Sequence, residues 1–417
     1  MRKGVLGDRF SKFGSISLVI VLFILSAGEA CAKNIYVESG NSIQSSVNNS
    51  TRGDIIIIKA GDYLENVTVN VSGIVLTSDT ENSGNVNLKS PYGNSSVFQI
   101  EADNVTVKGF NITGSGKTVI AERLEGVDCY PSGICLKHAN NCTIERNNIS
   151  GNLRGIYLEE SMNNTLSQNN LTDNGIWLDE ECSQNVLFGN VIEKGNIILG
   201  AHCFNDTVLQ NRIMDGEGIS IACCGGNDLV SRNSIQNCSN GIDIYDVQAR
   251  IVLNYNRISD CNYGIVLDSV FDSQIYNNMI SNSSTGIYFR EECHSNNLYN
   301  NMIVFSKQSG IYLLDSSADN VIYNNYFNNI INTRIENSGG NSWNTTKKQG
   351  KNIVKGPYLG GNFWANPAGT GFSQTAPDSD SDGISDLPYK VNGNDIDYLP
   401  LARNSDVVGQ VNTEDHA

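Results

Sequence analysis

From residue 133 onward one short phrase of apolar and polar positions returns along the chain. It reads "GIYLEE" at 155, "GIWLDE" at 175, "NIILGA" at 196, "GISIAC" at 218 and "GIDIYD" at 241. "GIVLDS" at 264, "GIYFRE" at 286 and "GIYLLD" at 310 continue it, with 20 to 24 residues between copies. A period of this size, sustained over nearly two hundred residues, marks a solenoid. Inside each copy the apolar positions alternate, as in Ile156 and Leu158 or Ile265 and Leu267, which predicts a short strand with one buried face. Each unit closes on a second apolar position in the form Asn-x-Ile, as in Asn190 with Ile192 and Asn211 with Ile213. No helical period fits these segments. The pattern predicts an all-β coil of three short strands per turn, each paired with the next turn: a single-stranded parallel β-helix.

The Asn of the closing phrase recurs in nine consecutive units, as Asn147, Asn169, Asn190, Asn211, Asn233, Asn256, Asn278, Asn301 and Asn325. Stacked coils set such residues about 4.8 Å apart. Asn tolerates a left-handed bend and its amide bonds to the turns above and below, so the row is expected to be structural. Residues 33–132 carry the same alternation more loosely, in "DIIIIKAGDYLENVTVNVSGIVLTS" and "DNVTVKGFNITGSG". Ahead of them "SIQSSVNNS", residues 42–50, predicts a short helix whose Ile43 and Val47 cover the open end of the first coil. The regular repeats occupy 133–330 and a C-terminal cap 331–417. In that cap Trp343, Tyr358, Phe363 and Trp364 are expected to fold back over the last coil and hide its strand edges.

These phrases, with the tail "GPYLGGNFWANPAGTGFSQTAPDSDSDGISDLPYKVNGNDIDYLPL" from 356 to 401, resemble the right-handed, pectate-lyase-like β-helix proteins of the carbohydrate-binding and sugar-hydrolase class. Within that class the chain is most similar to archaeal surface relatives of the periplasmic copper-processing NosD family. The resemblance implies the right hand of the coil, in line with the crossover bias of parallel strands.

Composition narrows the function. The formal charge is −16, with 28 Lys and Arg against 44 Asp and Glu, so no basic surface large enough for nucleic acid is expected. Arg2, Lys3, Arg9 and Lys12 precede the apolar run "ISLVIVLFILSAG", and Ala30 and Ala32 flank Cys31. This predicts an export signal over 1–32, cleaved after Ala32, with no later membrane span. The product is expected outside the cell, secreted or on its surface, as a monomer. Asn-x-Ser/Thr triplets, among them Asn66, Asn104, Asn111, Asn205, Asn282 and Asn344, are candidate glycan acceptors in an exported chain, although an Asn-rich sequence also produces such triplets by chance.

Cys182 and Cys203 fall at equal places on adjacent units, as do Cys238 and Cys261. Two arrangements satisfy that spacing: disulfides between coils, or a ladder of buried thiols. His202 adjoins Cys203 and His294 adjoins Cys293, but at different points of units four coils apart. No copper site is expected from such scattered donors.

Where each Gly-Ile strand turns, acidic residues cluster: Glu159, Glu160, Asp179 and Glu180 on adjacent coils. The variable residue between the buried pair is Tyr157, Trp177, Tyr288 or Tyr312, expected to face outward. Rings beside acids suit the apolar faces of sugars, so these eight residues are the expected carbohydrate or envelope-glycan contacts. The alternative is a polysaccharide lyase or glycoside hydrolase with Asp268, Arg290 and Glu291 as its catalytic group; a third reading is a pure scaffold. In the tail, Asp378, Asp380, Asp382 and Asp386 take places 1, 3, 5 and 9 of a calcium loop, with Gly383 for the sharp turn. Place 12 is Tyr389, so the stretch reads either as a calcium staple for the cap, with Asp395 or Asp397 completing it, or as a solvated turn.

Overall fold

The computed structural model describes residues 32–79, 86–116, 130–247 and 249–403, and over them the chain winds as a right-handed parallel β-helix of about 13 turns. Three parallel sheets of 13, 12 and 13 strands run its length. One coil shows the plan: a Gly-Ile strand at Arg154–Glu159, a strand before the ladder Asn at Thr165–Ser167, and one after it at Asn170–Thr172. Pairing is in register, so Ile156 lies over Ile176 and Ile176 over Ile197. The inward residues of all three sheets are fully buried and make one continuous core. The expected signal, residues 1–32, lies outside the described residues except for Ala32. Among the described residues no helix is long and apolar enough to cross a membrane.

Between strands the chain bends in two residues, the first with positive φ and the second pointing inward. Arg146 (φ 54°), Gln168 (55°), Gln210 (55°) and Asn300 (59°) precede the ladder residues Asn147, Asn169, Asn211 and Asn301. The ladder Asn, expected to take the left-handed bend as well as to bond, does only the second, and the residue before it takes the bend. The left-handed residue costs about 1–2 kcal/mol, and the amide behind it offsets that cost with hydrogen bonds. Asn190 is typical: its backbone N–H and its Nδ2 donate to Asn211 Oδ1 at 2.9 and 3.0 Å, and Nδ2 also donates to Leu166 O at 2.8 Å. The row runs unbroken from Asn147 to Asn325, and the cap adds a tenth rung, since Asn325 N donates to Asn362 Oδ1 at 3.1 Å. Asp397, fully buried, ends it by accepting from Asn362 N at 2.8 Å and Trp364 Nε1 at 2.9 Å.

A second ladder escaped the sequence reading because its rungs are mixed. Asn164 N donates to Asn185 Oδ1 (3.0 Å), Asn185 N to Asp206 Oδ1 (2.7 Å) and Asp206 N to Asp228 Oδ1 (2.8 Å). It resumes through Ser273, Asn296, Asn320 and Asn341. The cysteines occupy inward bend positions of the same kind. Cys182, Cys203 and Cys293 share a row with Ser161 and Ser317, while Cys238 and Cys261 share one with Ser283 and Ser306. All five are buried free thiols, so bridges 182–203 and 238–261 are not formed and the thiol ladder is the arrangement present. Stacked in-register side chains point the same way, whereas a disulfide needs a dihedral near 90° between converging Cβ–S bonds. Contact with the neighbouring thiol and burial push Cys203 and Cys261 well above the ordinary thiol range.

Both ends are covered. The helix Ile43–Asn48 is capped by Ser42 and fully buries Ile43 and Val47, as expected. At the other end Phe363–Ala365 pairs parallel with Tyr326–Asn328, extending the sheet by one strand. Trp364 stacks on Phe327 at 4.9 Å and 9°, with Trp343 and Tyr389 packed around it.

Candidate functional site

On the Gly-Ile sheet the expected sugar-facing rings are differently placed. Tyr157 lies directly over Trp177 and Tyr288 over Tyr312, in register. Tyr157 is fully buried, however, not outward and open. Tyr130 meets it edge-on at 5.4 Å, and the Arg154 guanidinium sits between the rings of Tyr130, Tyr157 and Trp177 at 3.8, 4.5 and 4.1 Å. Burial pushes the Tyr157 phenol far up and the Arg154 guanidinium down. Tyr157 Oη lies 3.3 Å from both Glu159 Oε2 and Asp179 Oδ2. Tyr263, Tyr288 and Tyr312 stack on one another at 5.3 and 4.9 Å, within 22° and 13° of parallel. Rings stacked along the coil axis spend their faces on each other and offer solvent their edges and hydroxyls. A sugar needs a face, so the stacked Tyr288 and Tyr312 and the buried Tyr157 do not present the sugar-facing rings expected of them. A second stack, Tyr276, Tyr299 and Tyr323, stands before the ladder Asn at 4.9 and 5.4 Å.

The carboxylates are brought together in part. Oxygens of Glu159, Glu160 and Glu180 lie within 4.8 Å of one another, with Glu159 buried, and His138 Nδ1 is 3.1 Å from Glu160 Oε2. Of the expected catalytic group, Arg290 pairs with Asp268 at 3.3 Å across adjacent coils, while Glu291 is exposed beside the turn. Asp243, one coil below Asp268, is pushed up by burial. In the tail, oxygens of Asp378, Asp380 and Asp382 converge within 4.8 Å. Asp386 turns away to accept from Ser379 N at 3.0 Å and Ser379 Oγ at 2.6 Å. Lys347 Nζ bonds Asp382. Asp397 is committed to the end of the Asn ladder and does not complete this loop.

A groove that the sequence did not reveal lies at the bend between the strands before and after the ladder Asn. Ser78, Gly109, Arg146 and Gln168 follow one another along the coils, the last three with positive φ, and beside the long side chains of Lys108 and Arg146 the surface leaves a gap. A Cβ at Gly109 (φ 82°) would stand 2.3 Å from Ser78 Oγ, so a side chain there would have to displace the serine hydroxyl and hold a strained left-handed backbone. The gap opens a cavity of about 450 Å³ bordered by Thr77, Ser78, Lys108, Phe110, Arg146 and Gln168. It continues over the next sheet across Asn87, Asn111, Thr113, Asn148, Ser150, Asn170 and Thr172. Side-chain amides link along this floor, Asn87 to Asp62 at 2.7 Å, Asn111 to Asn87 at 2.8 Å and Asn170 to Asn148 at 2.8 Å. The only signal in the sequence is three in-register Asn-x-Ser/Thr strands, which place an amide and a hydroxyl outward on each coil.

The sequence profile described as "Periplasmic copper-binding protein (NosD)" matches residues 30–205 and 195–369. A cell surface glycoprotein of Methanothermus fervidus is 28% identical over 397 residues, covering 85% of this chain and 56% of the relative. The chain thus spans about half the length of that relative. Among solved structures, a catalytic-domain variant of a GH87 alpha-1,3-glucanase in complex with nigerose superposes with a TM-score of 0.53 at 14% identity, over 74% of this chain and 65% of that one. A second variant, in complex with tetrasaccharides, gives 0.50 at 14% identity, over 76% and 66%. At this identity the likeness concerns the fold. Copper, named in the family's description, favours imidazole and thiolate donors. Both groups of three or more convergent donors among the described residues hold carboxylates alone. His138 is paired with Glu160 and His294 stacks on Phe271, so these residues do not fit a copper centre. The match over more than half its length, together with the stacked coils that produce it, makes this chain a member of the NosD family of β-helix proteins.

Proposed function

We propose that this chain is a cell-surface β-helix protein that holds carbohydrate along the polar groove beside Gly109. The observation that carries the reading is the groove's floor, where successive coils present outward amides and hydroxyls in register. Sugar hydroxyls donate and accept, and Asn, Ser and Thr side chains match both roles. Three-strand coils stacked through hydrogen-bonded ladders hold these groups with little freedom to lose on binding. The relative named a cell surface glycoprotein supports the location, and the fold neighbours solved with saccharides support the ligand class. In the cap, Asp378, Asp380 and Asp382 are proposed as a structural calcium site, in which the ion would take the place of Lys347 beside Asp382. The test of the main reading is a glycan array with the exported form. Retention of a saccharide class, lost with Asn148→Ala and Asn170→Ala at unchanged melting temperature, is expected. Absence of retention by folded protein would overturn it.

A further inference from the structure

We infer that the notch at Gly109 takes the carboxylate of an acidic sugar unit, an inference that rests on the groove reading and names its sugar class. Lys108 and Arg146 border the cavity from adjacent coils. Glu145 lies behind them, 3.7 Å from Lys108 Nζ and 3.8 Å from Arg146 Nη1. Arg146 Nε donates to Gln168 Oε1 at 2.9 Å. The Gln168 bond orients the Arg146 guanidinium, and the shared Glu145 keeps Lys108 beside it; the trio is left with one positive charge in excess. A single carboxylate balances that excess; a phosphate dianion or a run of sulfates exceeds it.

The setting makes the two cations selective. The chain carries 44 acidic against 28 basic residues, so a polyanion is repelled over most of its surface. No carboxylate is among the residues lining this cavity. A guanidinium presents a planar fork that matches a carboxylate with two parallel bonds. The adjoining amides of Asn148 and Asn170 then meet the ring hydroxyls, so a uronic acid unit within a longer chain satisfies both halves of the site.

The experiment is an array of neutral and uronate-containing oligosaccharides, followed by calorimetric titration of the best uronate oligomer and its carboxyl-reduced counterpart. At low salt the uronate form is expected to bind at least tenfold more tightly, with the advantage shrinking at high salt. Arg146→Gln and Lys108→Gln should each remove most of that advantage while leaving the affinity for the reduced oligomer and the melting temperature unchanged. Equal affinity for the two forms, or a uronate preference that survives both substitutions, overturns the notch and leaves the groove reading standing. Failure of every saccharide to bind overturns both.

Discussion

Asp206 and Asp228 stand in the second ladder where its other rungs are mostly Asn, and the substitution has a calculable cost. Elsewhere in that row the Nδ2 group donates to a backbone carbonyl: Asn164 to Ala139 O at 3.0 Å, Asn185 to Ser161 O at 3.1 Å, Asn320 to Cys293 O at 2.9 Å. In both aspartates the corresponding oxygen, Oδ2, is buried with no hydrogen-bond partner. Only a protonated carboxyl can donate as the amide does. Burial accordingly raises Asp206 from 3.8 to about 7, and burial with the adjacent Asp206 raises Asp228 to about 8. Above pH 3.8 the unfolded chain gives up these protons while the folded chain keeps them. Stability is therefore complete below about pH 4 and falls as pH rises, until the folded carboxyls themselves ionise near pH 7–8. At about 1.4 kcal/mol per pH unit, the interval from 3.8 to about 7 is worth about 4 kcal/mol for Asp206 alone. Asp206→Asn restores the donor and removes the titration. Thermal unfolding followed by circular dichroism from pH 4 to 8 should show the variant more stable at pH 8 by up to about 4 kcal/mol, or about 5 °C. The difference should shrink toward zero at pH 4, and Asp206→Asn/Asp228→Asn should flatten the profile further. If Asp206→Asn melts no higher than the parent at pH 8, the ladder account of these carboxyls is wrong.

Asp397 differs in its hydrogen bonds and not in its titration: burial raises it to about 7 as well, but both its oxygens accept, from Asn362 N, Trp364 Nε1 and Leu399 N. Asp397→Asn turns one of those acceptors into a donor and should destabilise by about 1–3 kcal/mol below about pH 7, measured by the same melts. Asn233→Ala deletes a rung that joins Asn256 and Val208 O and leaves Asn211 Nδ2 short of an acceptor; a loss of about 2–4 kcal/mol is expected, read from denaturant midpoints. Calcium should raise the melting temperature by a few degrees through the cap and a chelator should reverse it. An Asp380→Asn/Asp382→Asn variant should lose that response, and an unchanged melt on chelation would remove the proposed ion. Arg154→Ala empties the space between three rings and should lower stability by about 2–4 kcal/mol, seen as a lower midpoint.

The fold was legible because a solenoid repeats its instructions. The Gly-Ile phrase and the Asn-x-Ile phrase each fix one strand, and their common period fixes the stacking. The Asn147–Asn325 row was readable for the same reason, whereas the second ladder was hidden because Asn, Asp and Ser alternate along it. Alternation also misplaced Tyr157: a period of two assigns it outward, but Tyr130 and Arg154, at 27 and 3 positions' remove, close over it. The groove was the least legible part. Its opening lies at Gly109, between Ser78 and Arg146, and the step of 37 positions from Gly109 to Arg146 breaks the 22-residue spacing just there. A sequence displays the side chains it has more readily than a gap between them.

Along the Asn147–Asn325 row each coil hands the next the same donors and acceptors at the same places, so that row is built in whole turns. A single inserted residue, by contrast, throws every rung beyond it out of line. The tenth rung, Asn362, is reached only after a stretch that lacks the repeat, with Asp397 closing behind it. The cap is thus keyed to the last coil by rung and strand alike, and whole turns are the unit in which the body beneath it is divided.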